Sequence, residues 1–253
     1  VDTRFNKIWS KTPHVERYLV AAFLMSTNKK LLRPGSRLSQ LESMLEHPYS
    51  VIWDCCCDHG LLGMSLLKRA RAGEVIFVDV LAEQMKRLET ALRKNCPPDK
   101  YTWRVYCDDV KNIVVPNGNS QLFIIAGVGA RQTIEFINSL SASAPDTSFD
   151  LLICCVHGNY SVRDALINSG FRLKDERIIF ENNRFYEGIY VSKSEGDEIL
   201  NTGNKMWDWS DSDHQQYWQR IVGHYRQKAK NDPAQYQPII SSYETLLASI
   251  SNI

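Results

Sequence analysis

The chain has 253 residues, 43% of them hydrophobic and 23% charged, and a formal net charge of +1. This profile suits a soluble globular protein with one main domain plus a short appendage, and the balanced charge identifies no partner. The apolar run Val15–Met25 carries Glu16 and Arg17 and is far shorter than the roughly 20 residues of a membrane span. It also lacks the order of a signal peptide, so a cytosolic protein is expected. Seven cysteines, three of them contiguous, do not read as a disulfide framework, and reduced thiols are expected.

From Val51 the elements come in regular order. VIWD reads as a short buried strand, and after the turn CCCDHG the run LLGMSLLKRARA places Leu62, Leu66, Leu67 and Ala70 at helical spacing, with Gly73 as its C-cap. EVIFVDV is a second strand. LAEQMKRLETALRKN is an amphipathic helix with Met85, Leu88 and Leu92 on one face, stopped by Pro97-Pro98. TWRVYCDD, QLFIIAGVG, a helix near Arg131–Leu140, DLLICCV and a helix near Val162–Ser169 continue the alternation. Such alternation implies βαβ units and a mostly parallel sheet covered on both faces. FRLKDERIIF and RFYEGIYVSK then form a hairpin through Glu181-Asn182-Asn183-Arg184, since Asn tolerates the positive φ of a tight turn. SEGDEILNTGNK reads as a linker. Asp211-Ser212 caps a helix striped with Tyr217, Trp218, Ile221, Val222 and Tyr225, and after NDPAQYQP a second helix carries Ile239, Ile240, Tyr243, Leu246, Leu247 and Ile250. The expected boundaries are a helical extension over 1–36, the α/β domain over 37–194 and a helical hairpin over 195–253.

In an open parallel sheet, ligands bind beyond the carboxyl ends of the strands at the switch point, here the turn after VIWD. Asp54, Asp79 and Asp108 end the first three strands, and Asp79 lies 25 residues after Asp54, near the spacing of loop and ribose carboxylate in nucleotide-binding folds. The pattern D-x-G-x-G-x-G is kept only as Asp54-x-Cys56-x-Asp58-x-Gly60, and extra acid in this loop suits a cationic sulfonium cofactor better than a pyrophosphate. The alternative is that Asp54 and Asp79 only cap or end strands. Cys55, Cys56, Cys57 and His59 with Cys154, Cys155 and His157 offer zinc-ligand types, but contiguous cysteines alternate in direction and C-x2-C is absent, so small buried residues are the better reading and no metal is expected.

The run DCCCDHGLLGMSLL resembles the motif D-I-G-S-D-H-A-Y-L-P of the bacterial tRNA (adenine-22 N1)-methyltransferase family, matching at Asp54, Asp58, His59 and Leu62. IIAGVGARQTIEFI is similar to that family's I-x-G-M-G-G segment at Gly127 and Gly129. RLSQLESML resembles its R-L start, and the segment from Arg163 to Ser192 resembles its stretch ending in K-x-Y-E-I-I. The likeness runs from about Arg37 to Ser192, with a helical hairpin following as in the family. Where the family has Gln-Pro-Asn after strand five, this chain has Cys154-Cys155-Val156, then His157-Gly158-Asn159.

The resemblance implies a Rossmann-like class I methyltransferase fold, with a seven-stranded, mostly parallel sheet ending in an antiparallel hairpin. It implies an enzyme that uses S-adenosyl-L-methionine to methylate N1 of an adenine in tRNA. Asp54, Cys56, Asp58, Gly60, Asp79, Asp108, Asp109, Ala126 and Gly127 would then surround the cofactor. His59 would touch the base or the cofactor carboxylate, or merely cap the following helix. Asn159 with His157 would hold the base edge, or form a surface turn. Two basic sets are candidate RNA contacts: Lys29, Lys30, Arg33 and Arg37 ahead of the sheet, and Arg220, Arg226, Lys228 and Lys230 in an acid-free span from His214 to Lys230. Tyr217, Trp218 and Tyr225 interleave with the second set, for stacking or as core. Other readings are a methyltransferase for another RNA base or a small molecule, and a non-catalytic RNA-binding module.

Overall fold

The computed structural model describes residues 35–118 and 120–250. Lys29, Lys30 and Arg33, the run Val15–Met25 and all but the end of the expected N-terminal extension lie outside the described residues. After helix α1 (Ser36–Ser43) come β1 (Tyr49–Cys55), α2 (Leu61–Lys68), β2 (Ala72–Asp79), α3 (Ala82–Asn95), β3 (Trp103–Cys107), β4 (Gln121–Ala126), α4 (Ala130–Ser143), β5 (Asp150–Cys154) and α5 (Asn159–Asn168). The hairpin β6 (Arg172–Glu181) and β7 (Arg184–Ser192) and the helices α6 (Ser212–Ala229) and α7 (Pro233–Ile250) complete it. The seven strands lie in the order β3-β2-β1-β4-β5-β7-β6, parallel except that β7 runs antiparallel to both its neighbours. Between β6 and β7, Asn182 and Asn183 take φ of 52° and 62°, the left-handed pair of a two-residue hairpin turn.

The strand period of two sorts the apolar residues between two faces. Trp53, Cys55, Ile76, Val78, Phe123 and Ile125 pack with Phe136, Ile137 and Leu140 of α4 and Val162 and Leu166 of α5. Phe77, one step out of phase, lies against Gly63 of α2, and Leu88 of α3 reaches the same spot beside Gly60. Met85, Leu88 and Leu92 are buried, as their spacing predicts.

Three local expectations change. Helix α2 stops at Lys68, and Ala70 takes the left-handed φ of 54°, with Arg71 N–H returning to Leu66 O at 2.9 Å. Gly73 is therefore no cap but a residue of β2, where a Cβ would lie 2.9 Å from Ser50 O. The segment 194–205 is no free linker either. Its Asp197 bridges Leu173, Ile199 and Thr202 are buried, and the buried Glu176 Oε1 accepts the amides of Asn204 and Lys205 at 2.7 and 2.6 Å. Finally, α7 begins at Pro233 and runs through Pro238. Asp232 Oδ1 accepts Gln235 N–H at 3.0 Å and Pro233 needs no amide partner in the first turn, so the segment that reads as a connector starts the helix.

Arg163 is wholly buried between two carboxylates, donating to Glu176 at 2.6 Å and to Glu187 at 2.8 and 3.0 Å. This ion network ties α5 to both strands of the hairpin. Helices α6 and α7 share a small core of Val222, Tyr225, Ile240 and Tyr243.

Candidate active site

The β1–α2 turn is bent by three left-handed residues, Cys56 (φ 54°), Asp58 (48°) and Gly60 (62°). Only the last is glycine; a side chain in this region costs roughly 1–2 kcal/mol, so the surroundings must hold the turn in place. They do so through Asp54, which is buried and whose Oδ2 accepts Gly63 N–H at 3.0 Å. Cys57 N–H bonds Val78 O at 3.3 Å, and Gln84 of α3 donates to Asp58 Oδ1 at 2.9 Å. Burial pushes the Asp54 carboxyl up to about 7, the Gly63 amide draws it down, and the Asp79 charge raises it further.

Asp79 at the end of β2 accepts Leu81 N–H at 3.1 Å and faces Asp58 N–H at 3.4 Å. Asp108 accepts Asn112 Nδ2 and Asp109 N–H, bonds that hold its carboxyl below the usual range, and Asp109 caps the following turn at Lys111 N–H. Part of this acid is felt at Cys56. Burial first, then Asp79, Asp109 and Asp54, push its thiol up to about 12. The turn thus sits in a field that disfavours anions and favours a cation.

Asp54, Cys56, Cys57, Asp58 and His59 line a cavity of about 410 Å³ with Ala126, Gly127 and Val128 from the end of β4 and Arg37 and Leu38 from α1. Gly127 has φ of 87° and open space where a Cβ would stand. Gly60 is different: a Cβ there would lie 2.6 Å from Leu88 and 3.0 Å from Phe77, so its missing side chain serves helix packing and the bend. Asp79, Asp108 and Asp109 stand beyond the cavity wall, toward β2 and β3. His59 is exposed, with Nδ1 2.7 Å from Asp58 Oδ2, and the helix cap is Gly60, so His59 caps nothing.

A second cavity, of about 480 Å³, opens on the other side of the β4 loop. Its wall includes Ala130, Val156, His157, Asn159, Arg220, His224 and Lys228. The β4 and β5 loops are pressed together there: Val156 N–H bonds Val128 O at 2.9 Å, and a Cβ on Gly129 would lie 3.2 Å from the His157 ring. Asn159 is buried, its Oδ1 has no hydrogen-bond partner, and its Nδ2 is 3.4 Å from Tyr217 Oη. His59 and Asn159, both catalytic candidates, therefore line different cavities. Partial burial lowers the His224 imidazole, nearby Lys228 and His157 lower it further, and all three line this cavity.

The basic residues separate. Arg220 and Lys228 line the second cavity, Arg226 is paired with Glu244 at 2.7 Å, and Lys230 is exposed at the end of α6. Arg37 lines the first cavity, and the other members of its set, Lys29, Lys30 and Arg33, lie outside the described residues. Tyr217 and Tyr225 are largely buried yet stand in the wall of the second cavity, and Trp218 donates to Tyr243 O at 3.1 Å. Five of the seven cysteines, Cys55, Cys57, Cys96, Cys154 and Cys155, are buried as small residues. Cys55 joins the α4–α5 face of the core, Cys57 lies 3.9 Å from Met85 on the opposite face, and burial raises both thiols. Sequence reasoning missed Arg37 and Leu38 as cavity residues, because only the return of α1 over the sheet brings them there.

Residues 35–189 match the family profile described as a methyltransferase domain. The chain belongs to the methyltransferase-domain family. Its fold is that of several solved structures. TrmK of M. capricolum, in complex with S-adenosyl-homocysteine, superposes with a TM-score of 0.69 at 15% identity, over 86% of this chain and 98% of that one. The B. subtilis m1A22 tRNA methyltransferase TrmK gives 0.64 at 14% identity, over 87% and 97%. Sp1610 of Streptococcus pneumoniae, in complex with S-adenosyl-L-methionine, gives 0.64 at 17% identity, over 83% and 98%. At these identities the fold is what is shared, and the shared part takes in nearly the whole of each solved chain. No curated protein sequence matches the chain. Among the described residues no helix is long and apolar enough to cross a membrane.

Proposed function

We propose that this methyltransferase takes its methyl group from S-adenosyl-L-methionine and delivers it to N1 of an adenine in tRNA. The observation that carries the reading is the acidic turn at the sheet's switch point, where Asp54 and Asp58 line the cavity beside Cys56, an arrangement better suited to a sulfonium cation than to a phosphate. Support for the substrate comes from the neighbours named as tRNA (m1A22) methyltransferases, which this fold matches along nearly their full length, and from the cationic stripe that α6 turns to the second cavity.

In this reading Asp79 takes the ribose hydroxyls, and Asp108 and Asp109 face the cofactor's adenine. Asp54 keeps the turn in shape through Gly63, and Asp58, Cys56, Ala126 and Gly127 form the wall near the reacting centre. When bound, the cofactor supplies a methyl group on positively charged sulfur. Adenine N1 already carries an in-plane lone pair and no proton, so the chain has to align the nitrogen and needs no strong base. Extruding the target base costs a few kcal/mol, which phosphate contacts by Arg220 and Lys228 offset.

The test is to incubate the protein with unmodified tRNA and methyl-labelled S-adenosyl-L-methionine and to identify the labelled nucleoside by mass. The expected product is 1-methyladenosine, absent when adenine 22 is replaced by guanine. Label in another nucleoside, or none in tRNA, would overturn the assignment.

A further inference from the structure

A column of aromatic rings runs from the segment ahead of α6 to the tip of the β6–β7 hairpin. Trp209 stacks on Trp207 with centroids 5.2 Å apart and planes 17° apart, and Trp207 stacks on Tyr217 at 5.9 Å and 23°. Tyr217 meets Phe185 at 5.2 Å and 32°, and Phe185 meets Phe180 at 4.7 Å and 34°. Every step is nearer a stack than an edge contact. Phe180 and Phe185 are directly opposed across the hairpin, next to the pair Glu181 and Arg184 that flanks the turn. Within the column Tyr217 is buried and gives its hydroxyl to Glu187, so the rings are anchored to the ion network of Arg163. Phe180, the last ring, is 40% exposed.

A single exposed ring is ordinary, and what sets this one apart is its surroundings. The Arg220 guanidinium lies 4.9 Å from the centre of the Phe185 ring, with Nη2 bonded to Gln216 at 2.8 Å, and Arg184 is exposed beside the turn. Phe185 and Arg220 also edge the second cavity, together with His157, His224 and Lys228. The nearest carboxylates of the hairpin are engaged elsewhere: Glu187 holds Arg163 and Tyr217, and Glu181 accepts the Arg37 backbone N–H. An apolar peptide on this tip would leave the cations unmatched. An unpaired nucleotide fits both parts, offering a flat base to the ring and a phosphate to the cations a few bonds away.

We propose that the hairpin tip is a stacking platform for an unpaired base of the RNA, which lies on Phe180 as the next ring of the column while the adjoining phosphates meet Arg184 and Arg220. Phe180 lines neither cavity, so the stacked base is a different one from the methyl acceptor. The proposal rests on the RNA-substrate reading and adds to it a contact that depends on ring shape and not on charge. Because the column already fixes Phe185 and Phe180, the base meets a surface ordered in advance.

The test is the affinity of the full chain for unmodified tRNA, measured by fluorescence anisotropy across a salt series for wild type, Phe180→Ala, Phe180→Leu, Phe180→Trp and Arg220→Ala. Loss of one stacked base predicts that Phe180→Ala binds roughly 5- to 100-fold more weakly. Leucine keeps apolar area but loses the flat face, so Phe180→Leu should be weakened nearly as much, and Phe180→Trp should bind at least as well as wild type. Stacking releases no counterions. The slope of log affinity against log salt should therefore keep its wild-type value in Phe180→Ala and fall by about one in Arg220→Ala. Melting temperatures of the three Phe180 variants should match wild type, since the ring is exposed. Unchanged tRNA affinity in Phe180→Ala, or wild-type affinity in Phe180→Leu, would overturn the platform. So would a change from dimer to monomer in sedimentation with tRNA affinity unchanged, which would give the ring to a second copy of the chain. Wild-type protein that binds no tRNA would sink the RNA-substrate reading and the platform together, whereas tRNA that binds but accepts no methyl would sink the methylation reading alone.

Discussion

Tyr217 of α6 donates its buried hydroxyl to Glu187 Oε1 of β7 at 2.8 Å, and Glu187 Oε2 in turn receives Arg163. The C-terminal helices are thus hydrogen-bonded to the ion network beneath the β6–β7 hairpin. Removing the hydroxyl leaves a buried carboxylate oxygen short of a donor, which costs about 1.5–3 kcal/mol. Tyr217→Phe should lower the melting temperature by about 4–10 °C. Arg163→Met, which strands two buried carboxylates, should cost more, about 3–5 kcal/mol, or prevent folding. Unchanged urea midpoints for both would show that the network is not structural.

Asp54 links cofactor binding to pH. Its carboxyl is pushed up to about 7 by burial, and an unfolded chain would have about 3.9. Folding therefore takes up a proton, and the stability of the neutral form, full below about pH 4, is lost as pH rises through 7. A sulfonium nearby favours the carboxylate and expels that proton. S-adenosyl-L-methionine should bind more tightly at pH 8 than at pH 6 and release protons near neutrality, as calorimetry in two buffers would measure. Neutral S-adenosyl-homocysteine should show a smaller trend, and Asp54→Asn should flatten both. A flat wild-type profile for the sulfonium would refute the linkage.

The two arms of the α6 basic set should behave differently in RNA binding. Arg220 and Lys228 line the second cavity, whereas Arg226 is paired with Glu244. Changing Arg220 and Lys228 together to Ala should weaken tRNA binding and reduce the slope of log affinity against log salt by about two. Arg226→Ala should change the slope by less than about one, and S-adenosyl-homocysteine affinity should stay constant in both. Equal effects from the two changes would mean that cavity placement is irrelevant to RNA.

Thiol chemistry should single out one cysteine. Cys107 is exposed, while Cys55, Cys57, Cys154 and Cys155 are buried with thiols raised by burial. Since the thiolate is the nucleophile, a disulfide reagent at pH 8 should modify Cys107 quickly and these four only on unfolding. Mass mapping that finds Cys55 or Cys57 labelled first would contradict their packing.

The sequence alone determined the elements and their order, because strand and helix periods differ and Met85, Leu88 and Leu92 could be placed on one face by counting. It also placed Asp54, Asp79 and Asp108 at strand ends, since in a parallel sheet that position follows from the alternation itself. What only the tertiary structure decided is what meets across the chain. Arg37 reaches the first cavity because α1 folds back beside β6 and β7, with Glu181 and Tyr186 144 and 149 positions away in sequence. Asn159 and His59 part company because the β4 loop stands between their cavities. Tyr217 and Tyr225 pack into the core and also edge the second cavity, which counting could not tell, since periodicity gives a stripe but not the direction it faces. Local pattern is set by neighbours along the chain; charge pairing, burial and cavity walls are set by contacts between residues far apart in it, and those are fixed only when the sheet closes.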